Sequence, residues 1–214
     1  MTLSPLFITF EGIDGSGKST QIERLARQLE EHGERVLVTR EPGGTSVGED
    51  IRNLVLSDNM TMTPRTETLL FFAARAEHAE TKIRPALESG IWVLSDRFTD
   101  ATYAYQVGGK GFSGEEVEAL ETWTLGTFRP DGTVLFDLSP EVAAARRAFR
   151  SRGSDRFERE SAEFFARVRE AYLDRAKRQP ERFLIVNAEH SVDEIEREIA
   201  EWVKSLVRRK GEEA

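Results

Sequence analysis

The 214-residue chain contains no cysteine. This excludes disulfide bonds, thiol nucleophiles, iron–sulfur clusters and cysteine-bound zinc. Only His32, His78 and His190 carry an imidazole, and none of them has another histidine at a metal-ligand spacing. We therefore interpret all three as surface residues without a role in the chemistry.

Long apolar runs are also absent from the sequence. No stretch approaches the roughly 18 apolar residues that a membrane-spanning helix needs. The first residues lack the basic region of a signal peptide. We expect a soluble cytoplasmic protein with no membrane partner.

An excess of basic charge is the third feature that the chain lacks. It has 30 Lys and Arg residues against 38 Asp and Glu residues, which gives a formal net charge of −8 at pH 7. A protein of this sign has no long-range attraction to polyanions, so nucleic acid is disfavoured as a partner. Any anion that binds must be held by a local cluster of donors.

Short apolar runs alternate with longer segments of helical spacing. The runs lack a strict apolar–polar alternation, which is typical of strands covered on both faces in a parallel sheet. Strands that alternate with helices predict an α/β fold, here a single domain over residues 1–214. The pattern also predicts one long helix over Pro64–Ser89. The five runs are Leu6–Phe10, Val36–Thr39, Ile91–Ser95, Thr133–Leu138 and Phe183–Val186.

The strongest local motif is a phosphate-binding loop between the first strand and the helix predicted over Lys18–Glu31. Its glycines let backbone N–H groups surround a phosphate at the positive end of the helix dipole. Lys18 would contact the β- and γ-phosphates of ATP, and the Ser19 hydroxyl would bind Mg²⁺. The expected ATP-binding residues are Gly12, Ile13, Asp14, Gly15, Ser16, Gly17, Lys18, Ser19 and Thr20.

A second metal-supporting residue is expected at the end of another strand. Asp96 and Asp137 both follow apolar runs, and an aspartate there would support Mg²⁺ or its water shell. We favour Asp96, with Ser19, because Arg97 adjoins it and the two could act on phosphate together. The alternative is that either aspartate only caps a helix.

Several arginines outside the loop suggest a second phosphorylated ligand. Arg40 and Arg52 flank the turn Glu41–Thr45, and Arg75 lies four residues after Phe71 on one helix face. Such a ring and guanidinium could stack on a base and donate to its carbonyl. Two alternatives stay open, namely that Phe71 is ordinary core and that Arg75 forms a surface salt bridge. The acidic candidates for that salt bridge are Glu67, Glu77 and Glu80.

Six segments, in this order along the chain, resemble bacterial thymidylate kinases. The resemblance implies a five-stranded P-loop nucleoside-monophosphate kinase fold and a homodimer. It also implies Mg²⁺-assisted phosphoryl transfer from ATP to dTMP, giving ADP and dTDP. The segments are Phe10–Thr20, Thr39–Thr45, Leu69–Arg75, Asp96–Phe98, Ala104–Gln106 and Arg150–Glu158.

The resemblance also implies roles for residues around the acceptor. Phe71 would stack on thymine, Arg75 would bind its exocyclic oxygen, and Gln106 would help to recognise the base. Arg97 would hold the dTMP phosphate with Arg40 or Arg52, and Tyr105 would lie against the sugar. Asp14 would lie near the acceptor phosphate or the sugar. The family often has serine where this chain has Ala101, so Thr102 is a candidate to supply a hydroxyl to the base instead.

An arginine-rich lid is expected over residues 146–159, where six arginines lie in 14 residues. Some members of the family carry an arginine inside the P-loop at the position of Gly15, so here the charge must come from elsewhere. Arginines brought in by a closing lid would stabilise the transferring phosphoryl group. The alternative is a solvated helix face. With Lys18 and Arg97, the expected catalytic residues are Arg150, Arg152 and Arg156.

Two other functions stay open from the sequence. A kinase acting on AMP, CMP or dUMP would use the same loop and lid. A regulatory module would bind ATP without transferring phosphate.

Overall fold

Five short strands form one parallel sheet in the computed structural model, which describes residues 4–57, 60–148, 157 and 160–213. The strand order is β2-β3-β1-β4-β5, and every neighbouring pair is parallel. The five-stranded parallel α/β arrangement expected from the sequence is confirmed. The strands are β1 (Phe7–Glu11), β2 (Val36–Arg40), β3 (Trp92–Asp96), β4 (Gly132–Asp137) and β5 (Phe183–Asn187).

Helices cover both faces of this sheet. The described part of the chain has α1 (Lys18–Glu31), α2 (Ser46–Leu56), α3 (Pro64–His78), α4 (Arg84–Glu88), α5 (Thr99–Thr102), α6 (Gly114–Leu125), α7 (Pro140–Ala148), α8 (Ala162–Arg178) and α9 (Val192–Glu213), with π-helical turns at Ala79–Ile83 and Tyr103–Gly109. None of these described helices has the length and apolar composition needed to cross a bilayer.

Burial explains why the strands do not alternate. All five residues of β1 are buried, because helices pack on both sides of this central strand. The edge strands are less covered, and Val38 in β2 and Ile185 in β5 are 49% and 43% exposed. Helix α1 buries the stripe of Ile22 and Leu25 that its spacing predicts. Each fully buried side chain of this kind contributes about 1.5–3 kcal/mol.

The long helix predicted over Pro64–Ser89 is present, but with a change of pitch. Thr63 caps its start, since the Thr63 hydroxyl accepts a hydrogen bond from the Thr66 N–H at 3.2 Å. Pro64 occupies the first turn, where its missing N–H costs nothing. The segment continues through the π-helical turn Ala79–Ile83 into α4 and ends before Gly90. The apolar spacing does not predict the π-helical turn.

Strand register sets the position of the site. Phe10 and Arg40 are both paired with Asp96, so the carboxyl ends of β1, β2 and β3 lie side by side. Ligands of parallel α/β sheets bind at this edge. The phosphate-binding loop and Arg97 both follow it in the chain.

Candidate active site

The loop that follows β1 has the backbone conformation needed to surround a phosphate. Gly12 has φ of 134° and Gly17 has φ of 95°, a region that other residues rarely adopt. A Cβ atom at Gly12 would also lie 2.6 Å from the carbonyl oxygen of Phe136, so no side chain fits there. The loop leads into the first turn of α1, where Lys18, Ser19 and Thr20 follow one another.

Lys18 lies inside this loop. Its ammonium group donates long hydrogen bonds to the carbonyl oxygens of Gly12 and Ile13, at 3.2 and 3.4 Å. Burial lowers the pKa of Lys18, and the nearby charge of Arg97 lowers it further. A buried cation held by weak carbonyl contacts is suited to bind phosphate oxygens instead.

The two candidate aspartates differ clearly in their surroundings. Oδ1 of Asp96 is buried, lies 4.0 Å from the Lys18 ammonium nitrogen and has no hydrogen-bond partner among the described residues. Ser19 lines the same cavity as Asp96. The Asp137 carboxylate instead accepts two hydrogen bonds from Arg169, at 2.6 and 2.9 Å. The geometry therefore favours Asp96 at the phosphate site.

A second pocket opens beside the loop. Of the residues expected to bind the acceptor, it is lined by Asp14, Arg52, Phe71, Arg75, Arg97, Thr102, Tyr105 and Gln106. Sequence reasoning missed the other lining residues: Glu41, Pro42, Leu56, Phe98 and Phe157, with Ala101 noted only as a departure from the family.

Arg97 connects the pocket to the loop. Its guanidinium donates hydrogen bonds to Asp14 at 2.9 Å and to the hydroxyls of Tyr105 and Tyr172, both at 3.0 Å. Burial opposes its charge, but the oxygens of Tyr105 and Asp14 keep the pKa of Arg97 well above its ordinary value. Arg97 also has φ of 72°, a strained backbone for a side-chain residue, of the kind found at functional sites.

Glu11 supports Arg97 from behind, and sequence reasoning gave it no role. Its carboxylate accepts hydrogen bonds from the Phe98 N–H and from the Tyr172 hydroxyl, both at 2.7 Å. Burial, and secondly the charge of Asp100, raise the pKa of Glu11 to about 8. The only sequence signal was a glutamate that ends a mainly apolar strand.

Arg75 points into the pocket from α3. Its Nε atom donates to Glu41 at 2.7 Å and Nη2 donates to the Phe98 carbonyl at 3.1 Å. Nη1 is buried without a hydrogen-bond partner among the described residues. The alternative of a surface salt bridge is therefore wrong, because the guanidinium is buried and its acid comes from the turn after β2. Phe71, one turn earlier, is half-buried at the pocket wall.

The interpretation of His78 as a surface residue is wrong. It is fully buried, with Nε2 2.7 Å from the Thr39 hydroxyl and Nδ1 3.0 Å from the Glu41 carboxylate. His78 lies three residues after Arg75, so both side chains face Glu41 from the same side of α3. His32 and His190 are exposed, as expected.

The structure separates the two candidate phosphate-binding arginines. Arg52 lines the pocket and donates to the Pro42 carbonyl at 2.9 Å. Arg40 is more than half exposed, pairs with Glu49 at 2.9 Å and lines the cavity of Ser19 instead. Arg40 is not brought to the acceptor pocket, because Glu49 holds its side chain on the other side of the turn.

The remaining wall comes from α5 and the π-helical turn Tyr103–Gly109. Thr102 and Gln106 are buried here, and the Gln106 amide nitrogen donates to Glu67 at 3.0 Å. Glu67 was a candidate partner of Arg75 by sequence, but in the structure it accepts a hydrogen bond from Gln106 instead. π-Helical turns are frequent at functional sites.

Most of the expected lid lies outside the described residues, including Arg150, Arg152 and Arg156. Phe157 is described and buried. Its ring centroid lies 6.2 Å from that of Phe71 and 5.9 Å from that of Tyr105. Phe157 itself therefore lies at the acceptor pocket.

A phosphate-binding loop joined through Arg97 to an arginine-lined second pocket defines a P-loop kinase of small phosphorylated acceptors. A family model described as thymidylate kinase matches residues 10–199. The chain therefore belongs to the thymidylate kinase family.

Individual relatives agree along nearly the whole chain. A thymidylate kinase of Ralstonia nicotianae is 52% identical over 204 residues, covering 94% of this chain and 98% of that protein. The one from Thiobacillus denitrificans is 50% identical over 206 residues, covering 96% and 100%. A crystal structure of thymidylate kinase from Ehrlichia chaffeensis has a TM-score of 0.72 at 36% identity, covering 86% of this chain and 93% of that one.

Proposed function

We propose that a single domain over residues 1–214 transfers the γ-phosphoryl group of ATP, bound on the loop 12–20, to dTMP in the acceptor pocket, giving ADP and dTDP. Membership of the thymidylate kinase family establishes this reaction and both substrates. The assignment of residues to the two sites rests on one observation, the hydrogen bond of 2.9 Å from Arg97 to Asp14. Through this hydrogen bond, the Arg97 side chain connects the acceptor pocket to the phosphate-binding loop.

Positioning and charge would carry the catalysis. The second pKa of a phosphate lies near 6, so the dTMP phosphate is largely ionised at neutral pH and needs no strong general base. Arg97 and Arg52 would hold this phosphate while Lys18 holds the transferring group. The lid arginines Arg150, Arg152 and Arg156 remain our candidates for the added charge in the transition state.

We propose Mg²⁺ at Ser19 and Asp96. Ser19 and Asp96 would hold this ion, which would supply positive charge to neutralise the phosphates. The buried Oδ1 of Asp96 has no hydrogen-bond partner among the described residues, which supports a water or hydrated-metal contact there. No group of three or more acidic or histidine side chains that could hold a metal converges anywhere in the described chain, so phosphates and water would supply most of the ligands.

The base would lie between Phe71 and the π-helical wall. The Arg75 Nη1 atom is a buried donor in a pocket that also contains the Gln106 amide. The Tyr105 hydroxyl accepts a hydrogen bond from Arg97 at 3.0 Å, and its ring would lie against the sugar. Thr102, beside Ala101, would offer a hydroxyl in place of the usual serine.

We also propose a cytoplasmic homodimer, formed through α3 and α6. An ion pair of 2.6 Å between Arg65 and Glu116 joins these helices. Leu69, one turn after Arg65, is 49% exposed, and Trp123, two turns after Glu116, is 86% exposed. Sedimentation should give a dimer that Trp123→Glu dissociates and that Val192→Glu leaves intact. A monomeric parent protein would contradict the proposal.

The test of function is ADP release with ATP and Mg²⁺ against dTMP, dUMP, AMP, CMP and GMP at equal concentrations. We expect a strong preference for dTMP and little release without Mg²⁺. Preference for another monophosphate would retain the loop and discard the base assignment. Folded protein that binds ATP without acceptor-dependent release would favour a regulatory module.

A further inference from the structure

A buried carboxylate that the proposed mechanism does not use lies at the edge of the acceptor pocket. Glu67, Phe71 and Arg75 are spaced four residues apart on α3, and the last two line the pocket. The Glu67 side chain is only 1% exposed. A buried carboxylate is costly unless it is paired, so its partners indicate what it does.

The partners of Glu67 come from the opposite wall. Lys110 donates to both carboxylate oxygens, at 2.7 and 2.8 Å, and the Gln106 Nε2 atom donates to Oε1 at 3.0 Å. A carboxylate accepts hydrogen bonds and donates none, so only the NH₂ end of the Gln106 amide can face it. Lys110 holds the carboxylate in place with two charge-assisted hydrogen bonds.

This arrangement leaves the other end of the amide for the ligand. The Gln106 side chain makes no other hydrogen bond within the described chain, and its remaining group is the carbonyl oxygen, an acceptor. Arg75 offers the opposite group, the buried donor Nη1. Arg75 and Gln106 thus present one donor and one acceptor to a base.

A donor and an acceptor fit a base that has a carbonyl oxygen next to a ring N–H. Thymine and uracil have this pattern at O4 and N3, whereas cytosine has an amino group and an unprotonated ring nitrogen there. If the Gln106 amide turned over, it would present NH₂ to the ligand. Arg75 remains a donor in either case, so the orientation of the amide decides whether the pocket accepts or opposes the ring N–H of the base.

We propose that Glu67, held by Lys110, is a positioning residue that sets base specificity by fixing the orientation of the Gln106 amide. The inference rests on the proposed binding of dTMP in this pocket. Glu67 and Lys110 would thus influence the choice of base without touching it, because they act through Gln106.

The experiment compares kcat/KM for dTMP with kcat/KM for 5-methyl-dCMP, which keeps the methyl group and reverses the hydrogen-bonding pattern. In Glu67→Gln the side chain at 67 can donate or accept, so the Gln106 amide can turn. We expect the ratio of the two kcat/KM values to fall about tenfold to hundredfold, the discrimination typical of one base-reading contact. A purely structural role would lower both values together and leave the ratio unchanged.

Variants at Lys110 and Gln106 test the same pair. Lys110→Arg keeps the charge-assisted hydrogen bonds and should retain the ratio, whereas Lys110→Met should lower it in the same direction as Glu67→Gln. In a Gln106→Met background, Glu67→Gln should not change the ratio further, because its effect passes through the amide. Lys110→Met also provides a test if Glu67→Gln does not fold.

The outcomes separate this inference from the proposed function. A parent enzyme that does not prefer dTMP to 5-methyl-dCMP would refute the base assignment and this inference with it. A selective parent enzyme with an unchanged ratio in Glu67→Gln, or in Lys110→Met, would overturn this inference alone.

Discussion

The buried ion pair between Arg75 and Glu41 allows a quantitative test of the pocket's construction. Nε of Arg75 lies 2.7 Å from Oε2 of Glu41, and the two side chains are 3% and 4% exposed. Glu41→Gln keeps the size and one carbonyl acceptor but removes the negative charge. The guanidinium then stays buried without its counter-ion.

Burial, rather than distance, sets the expected magnitude. Breaking a buried ion pair by removing one partner costs about 3–5 kcal/mol. An exposed pair costs only about 0–1 kcal/mol, because water screens it and solvates the charge that remains. The matched control is the pair of Lys177 and Asp174 on α8, 3.3 Å apart and 72% and 51% exposed.

Urea unfolding of each variant measures the free energy of unfolding. We expect Glu41→Gln to lower the free energy of unfolding by about 3 kcal/mol. This value is at the lower end of the range for a broken buried ion pair, because the amide can still accept a hydrogen bond. Asp174→Asn should change the free energy of unfolding by less than about 1 kcal/mol. The double variant Glu41→Gln/Arg75→Met should lose less than the sum of the single changes, since the two residues are coupled. Equal small losses in Glu41→Gln and Asp174→Asn would refute the reasoning.

Three further predictions concern the loop, the acceptor phosphate and pH. Lys18→Ala should lower kcat by about 10²–10³-fold, the cost of one transition-state donor, with the free energy of unfolding retained; unchanged turnover would exclude Lys18 from the phosphate site. Arg52→Ala should raise KM for dTMP in steady-state assays, and Arg40→Ala should change it little; the reverse result would assign the phosphate to Arg40. Burial raises the pKa of Glu11 to about 8, so the folded protein holds a proton that the unfolded chain releases at lower pH. Its free energy of unfolding should therefore fall between about pH 5 and about pH 8, and Glu11→Gln, measured by urea unfolding across this range, should remove that part of the decrease. An identical slope in Glu11→Gln would contradict the assignment.

Features that depend on neighbours in the chain could be predicted from the sequence alone. The glycines of the loop, its strand and helix, and the four-residue spacing of Phe71 and Arg75 are local, because backbone conformation and helical periodicity are encoded within a few residues. Asp96 and Arg97 could be proposed as a site because they follow an apolar strand and adjoin each other. The family resemblance rests on the same local segments.

Pairings between distant residues were decided only by the tertiary structure. Arg75 meets Glu41 across 34 residues, and Tyr172 meets Glu11 across 161 residues. The burial of His78 follows from its helix face turning toward the turn after β2, which periodicity leaves open. Strand register and helix packing set these contacts, and no short stretch of sequence carries that information. For the same reason, the sequence offered Glu67 as a partner for Arg75, whereas the fold pairs it with Gln106 and Lys110.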